Sequence, residues 1–318
     1  AGLVAILGAD RVTHVCTDES KKYDRRERAK IGITALHPDC NYIDVMELHL
    51  ERLYYGEPIL KPKYDHSTGT LVRPEYVKPR DFVIVEGLLG YSTPTLRQYF
   101  DVKLYLDPPE ELRRDWKLKR DTTKRGYTQE QVLAELEKRE PDSRDFIRPQ
   151  RQYADIVARF YPPEGSTAAS PEVDVQLVLR PTIPHPDLTY LIDGAPDANK
   201  AISLELGRDD GRPADFLRID GGATAAHAEE LENAIWRHMP DLRPIKGDQF
   251  GKYQDRATVR HSKQLAITQL LLAYHLLRRY RDVDQVPLAA PVSLLRRMES
   301  APATAPATAA AQVAAQHA

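Results

Sequence analysis

The chain has 318 residues, 42% hydrophobic and 29% charged, with a formal net charge of -2. A balance this close to neutral argues against nucleic acid as the main partner, so clustered cations point instead to small anionic ligands. No apolar run reaches membrane-spanning length and no secretory leader is visible, which predicts a cytoplasmic protein without a membrane partner.

Taken in order, AGLVAILGADR reads as the tail of a helix. RVTHVCT (11–17) is β-branched and predicts a strand ending at Asp18 and Glu19. ESKKYDRRERAK is polar and basic, a loop or the exposed start of a helix. Residues 42–55 have helical spacing, with Ile43, Met46, Leu50 and Leu53 as the buried stripe. Extended segments joined by a turn at Ser67 to Gly69 follow. DFVIVEG (81–87) and DVKLYLD (101–107) are short apolar strand candidates, helical segments run from Pro109 to about Lys138, and ADIVARFYP (154–162) is a further strand. Strands alternating with helices predict an α/β fold, a mostly parallel sheet with helices on both faces. The expected organisation is a catalytic domain over 1–162, a linker over 163–173, a smaller α+β C-terminal unit over 174–284, and a low-complexity, disordered Ala/Pro/Thr tail over 285–318. The C-terminal unit is read as three strands, VDVQLVL, AISLELG and DFLRID, then helices over 225–239 and 262–280.

Ligands of open α/β sheets sit beyond the carboxyl ends of the strands, where Asp18 and Glu86 both fall. Glu86 could hold Mg²⁺ beside nucleotide phosphates, or cap the turn that follows it. Asp18 could accept a proton from an attacking alcohol, or cap a helix. In KPKYDH, Tyr64 and His66 are two apart and so share one side of an extended segment, as substrate contacts or as an exposed strand. On the helix of 109–127, Lys117, Arg120, Asp121, Lys124 and Arg125 span about 140° of arc at ~100° per residue. A cationic face holding one acid suits phosphates, with a solvated charged face as the alternative. Cys16 and Cys40 have no disulfide or metal-ligand pattern.

The order CTDE, YDRRER, GITALHPDCN, KPKYDHSTG, VIVEGL, WKLKRD, KRGYT, RPQRQYADIV resembles the phosphoribulokinases of the phosphoribulokinase/uridine kinase family, from about Arg11 to Val157 and more loosely beyond. The resemblance implies a P-loop kinase-like fold, a homodimer, and transfer of a phosphoryl group from Mg-ATP to O1 of ribulose 5-phosphate, the Calvin-cycle reaction. It implies Asp18 as catalytic base and Glu86 as the metal-linked acid, with Asp121 a second functional acid, on the metal side. Arg25, Tyr64, His66, Lys117, Arg120 and Arg125 match sugar-phosphate contacts or groups steadying the transferred phosphoryl, Arg139 matches a basic position near the nucleotide, and Lys21, standing at a substrate-side histidine position, could still meet a phosphate as a point charge.

The sequence departs from that pattern at three places. No G-x-x-x-x-G-K-[ST] string occurs in the 318 residues. The loop is therefore expected upstream of Ala1, and this chain by itself is expected to bind ATP and Mg²⁺ poorly and to be inactive. DESK stands where the family commonly has Asp-Asp-Tyr-His, which puts Lys21 at a histidine position, and EGLL puts Leu89 at another. Cys16 falls where the plant enzymes keep a redox cysteine, but a buried strand cysteine is the simpler expectation. Two rival readings stand: a uridine or other nucleoside kinase of the same superfamily, which brings no phosphate for the cations to meet, and a non-catalytic relative that binds sugar phosphate.

Overall fold

The computed structural model describes residues 2–124, 126–162, 173–189, 202–221, 229, 233, 235, 250–255 and 258–285. Ala1–Tyr280 form one compact unit, and Arg281–Ala318 a second, described only at 281–285, where the last helix ends. The expected tail and most of the 163–173 segment lie outside the described residues.

Helix α1 (Gly2–Leu7) leads into strand β1 (Val12–Cys16). The basic segment after it forms helix α2 (Arg25–Ile31), because Asp24 and Glu27 close a reciprocal cap at its start and Gly32, at φ 79°, ends it. Helix α3 (Ile43–Tyr54) buries Met46, Leu50 and Leu53 as the spacing predicts, with Ile43 partly buried beside them. Strands β2 (Ile59–Asp65) and β3 (Thr70–Val77) pair as an antiparallel hairpin whose turn is held by Asp65, which accepts from the Ser67 amide at 2.9 Å. Strand β4 (Phe82–Glu86) pairs parallel with β1 in the register Val12↔Phe82 to Cys16↔Glu86. Short helix α4 (Pro94–Arg97), strand β5 (Leu104–Leu106) and helices α5 (Glu110–Lys124) and α6 (Gln129–Asp142) follow. A capping box between Thr128 and Gln131 restarts the helix at α6.

Strand β6 (Ile156–Tyr161) pairs parallel with β5 and antiparallel with β7 (Asp174–Leu179). Strands β8 (Ile202–Asp209) and β9 (Arg212–Ile219) complete a five-stranded sheet in the order β5-β6-β7-β9-β8. The catalytic-domain strands and the C-terminal strands therefore share one sheet across the 163–173 segment, with parallel pairing at β5–β6 and antiparallel pairing beyond. A short hairpin of β10 (Lys252–Asp255) and β11 (Thr258–His261) precedes the long helix α7 (Lys263–Gln285). The proposed helix over 225–239 falls mostly outside the described residues.

The β1–β4 pair is covered on both faces. On one, Val15 packs with Leu53 of α3, while Ile6, Leu7, Val12 and Phe82 join the main core with Leu271 and Tyr274 of α7 on the other. Among the described residues no strand pairs with the second edge of β4 or with that of β5. Val83, Ile84 and Val85 of one and Leu104, Tyr105 and Leu106 of the other line a shared cavity, which also contains the candidate site.

Candidate active site

Parallel pairing sets Cys16 opposite Glu86, so the acids after each strand emerge side by side. A 3₁₀ turn over Thr17–Glu19 carries Asp18. It is tied to β4 by Thr17 Oγ1 donating to the Glu86 carbonyl at 3.2 Å. Gly87 makes the approach possible. At φ 151°, a Cβ there would lie 1.8 Å from Thr17 Oγ1 and 3.4 Å from Asp18 Oδ1. The turn is fixed again by the buried Lys61 ammonium, which donates to the Glu19 carboxylate. The Glu86 side chain is open to solvent, with His14 Nε2 at 3.3 Å from its Oε1.

Another part of the cavity wall joins α2 to the β2–β3 hairpin. Arg25 Nη2 donates to the His66 carbonyl at 2.8 Å, and the Arg25 amide donates to the Gly69 carbonyl at 2.9 Å. Tyr64 and His66 stand edge to face with ring centres 5.0 Å apart, as their two-residue spacing predicts. Arg28, one turn along from Arg25, donates to the Tyr64 hydroxyl at 2.8 Å. Sequence reasoning passed over Arg28, although its three-residue spacing from Arg25 puts it on the same helical face.

On α5, Asp121 is only 3% exposed and accepts from Lys117 Nζ at 2.9 Å and Arg120 Nε at 2.8 Å. Burial works against its charge, but the two cations outweigh burial and hold its carboxyl at about 2. Both oxygens are thus engaged by cations, which makes Asp121 the anchor of a basic pair. The metal-side role expected for it would have to share these oxygens with Lys117 and Arg120. Arg139, on α6, is held by Glu135 Oε1 at 2.5 Å. Lys21 differs from its expected role in the same way. It is 5% exposed, and its ammonium donates to Asn41 Oδ1 at 2.7 Å and to the Ala35 carbonyl at 3.0 Å. Burial also lowers its pKa, so in this fold Lys21 braces the segment between β1 and α3 rather than presenting a free charge. Arg125 lies outside the described residues.

Asp18, Lys21, Arg25, Tyr64, His66, Glu86, Lys117, Arg120, Asp121 and Arg139 all line one cavity of about 2590 Å³. Among the described residues no cluster of three or more His, Cys, Asp or Glu side chains is placed to hold a metal ion. Exposed Glu86 fits the sparse protein contribution that Mg²⁺ accepts when phosphates and water supply its other ligands. Burial pushes the Cys16 thiol up to about 11, so it is a protonated strand residue at neutral pH. No described helix is long and apolar enough to cross a membrane.

The paired ends of β1 and β4 and the basic face of α5 line one cavity, an arrangement with the charges to hold phosphates, and comparison with known proteins narrows the class. The model of the phosphoribulokinase/uridine kinase family matches residues 4–164. A phosphoribulokinase from Synechocystis is 34% identical over 249 residues, 74% of either chain. The chloroplastic phosphoribulokinase of Mesembryanthemum crystallinum is 38% identical over 156 residues, 49% of this chain and 39% of its own length. The solved phosphoribulokinase of Rhodobacter spheroides is similar over 73% of this chain and 85% of that one, at 18% identity with a TM-score of 0.49. The chain belongs to the phosphoribulokinase/uridine kinase family, a family of kinases. It spans about three quarters of the Synechocystis relative and less than half of the chloroplastic one.

Proposed function

We propose that this protein is a phosphoribulokinase, transferring the γ-phosphoryl of Mg-ATP to O1 of ribulose 5-phosphate to give ribulose 1,5-bisphosphate. The observation that carries the reading is the shared cavity, which Asp18, Glu86, Arg25, His66, Lys117 and Arg120 all line. Asp18 takes the O1 proton as the O1–phosphorus bond forms and the bond from phosphorus to the bridging oxygen of ADP breaks. Glu86 would hold the metal ion, which would neutralise charge on the nucleotide phosphates. Arg25, Lys117 and Arg120 meet the sugar phosphate, with Lys117 and Arg120 aimed by Asp121, while Tyr64 and His66 position the pentose and Arg139 stands toward the nucleotide. The same reading makes the protein a cytoplasmic homodimer without a nucleic-acid or membrane partner.

The family name keeps a nucleoside kinase in view, but a nucleoside gives Arg25, Lys117 and Arg120 nothing anionic to bind. Calorimetry on this chain tests the choice, with ribulose 5-phosphate expected to bind at least tenfold more tightly than uridine. Equal binding, or preference for uridine, would overturn the assignment. Turnover is the second test. With no G-x-x-x-x-G-K-[ST] string in these residues, the chain alone should bind the sugar phosphate with little transfer, whereas supplying a phosphate-loop segment restores transfer. In that active form Asp18→Asn should lower kcat about 10²–10⁴-fold with KM nearly unchanged. Binding with no transfer in either form would favour the non-catalytic reading.

A further inference from the structure

Arg28, on α2, is a cation of the cavity wall held at both of its terminal nitrogens. Its Nη1 donates to the Tyr23 carbonyl at 2.7 Å, which pins the guanidinium, and its Nη2 donates to the Tyr64 hydroxyl at 2.8 Å. Its Cζ also lies 5.1 Å from the centre of the Tyr64 ring. Arg28 and Tyr64 both line the cavity, and Tyr64 is only 4% exposed.

The chemistry of the two groups sets the direction of this bond. A guanidinium has donors and no acceptor, so the phenol oxygen must accept from Arg28. A phenol has one proton of its own, which is thereby turned away from Arg28, and among the described residues nothing accepts it. A nearly buried donor on a cavity wall, with its acceptor side already taken, is matched to an oxygen of whatever fills the cavity.

We infer that Arg28 is a positioning residue: it fixes the Tyr64 hydroxyl as a hydrogen-bond donor to an oxygen of the bound sugar phosphate. The inference deepens the sugar-phosphate reading and rests on it. The role assigned to Arg28 runs through Tyr64, because Nη1 and Nη2 each donate to a protein oxygen, and direct phosphate contact is the outcome that the test below separates from it. The pairing also couples α2 to β2, so the same helix that places Arg25 beside His66 sets the proton of Tyr64.

A double-mutant cycle tests this, with ribulose 5-phosphate titrated by calorimetry into the wild-type chain, Tyr64→Phe, Arg28→Met and the double variant. Tyr64→Phe and Arg28→Met should each weaken binding roughly tenfold, the worth of one oriented hydrogen bond. In the Tyr64→Phe background, Arg28→Met should cost less than about twofold more, because the group it positions is already gone. Full additivity would assign Arg28 to structure or to direct phosphate contact and overturn the inference, as would an unchanged affinity in Tyr64→Phe. Where circular dichroism shows that Arg28→Met has lost structure, Arg28→Leu, which likewise lacks the donor, takes its place and should give the same non-additivity. A wild-type chain that does not bind the sugar phosphate overturns the functional reading itself, whereas tight wild-type binding with additive variants overturns only the role of Arg28.

Discussion

Replacing Asp121 by Asn tests whether this acid anchors cations or holds metal. Its carboxyl is held at about 2 against an ordinary 3.8, burial being outweighed by the bonds from Arg120 and Lys117. At ~1.4 kcal/mol per pKa unit that depression corresponds to about 2 kcal/mol of folding stability. Arg120 is half exposed and Lys117 is not, so solvent screening takes part of the Arg120 share and leaves about 1–2 kcal/mol. A carboxyl with a depressed folded pKa contributes stability that is complete above its unfolded value and lost as pH falls through the folded one. Wild type should therefore exceed Asp121→Asn by about 1–2 kcal/mol at neutral pH, with the gap closing between about pH 4 and pH 2. Urea unfolding followed by circular dichroism at a series of pH values measures it. A variant as stable as wild type at neutral pH, paired with a changed Mg²⁺ requirement, would refute the anchor and restore the metal-side role.

Two further perturbations probe the supports of the fold. Gly87→Ala should push Thr17 and Asp18 off the end of β4, because the added methyl would lie 1.8 Å from Thr17 Oγ1. A melting temperature lowered by several degrees is expected, and an unchanged one would show that the turn can yield. The imidazole of His275, buried and faced by His185 and Arg278, is held down at about 3 against an ordinary 6.5. The unfolded chain takes up that proton more readily, so stability is full above pH 6.5 and declines as pH falls toward 3, by up to ~1.4 kcal/mol per pH unit. His275→Gln should flatten that decline, and an identical acid limb in the variant would place the sensitivity elsewhere.

Much of the site was legible because it depends on periodicity. Two apolar runs ending in acids become neighbours once the strands pair parallel, and Cys16 opposite Glu86 is that rule realised. Tyr64 and His66 follow from alternation along an extended segment, and α3 from its apolar spacing. The C-terminal strands were equally visible as strands, but their attachment was not. Whether β7 starts a new sheet or extends β6 depends on which edge stands free after folding, a long-range property that local pattern does not contain.

The residues whose surroundings sequence pattern does not reveal are charged ones, and for a common reason. Pattern reports that a charge is present, while its role depends on which partner reaches it first. Lys21 stands where a phosphate contact was expected, but Asn41 and the Ala35 carbonyl lie within reach and satisfy it. The Lys117–Asp121 ion pair follows from the sequence, since Lys117 is four residues back on the same helix, the spacing that favours such a pair. An acid in a ring of cations is more economically explained as their organiser than as a metal ligand: releasing it to a metal would leave Lys117 and Arg120 untethered just where a phosphate needs them aimed.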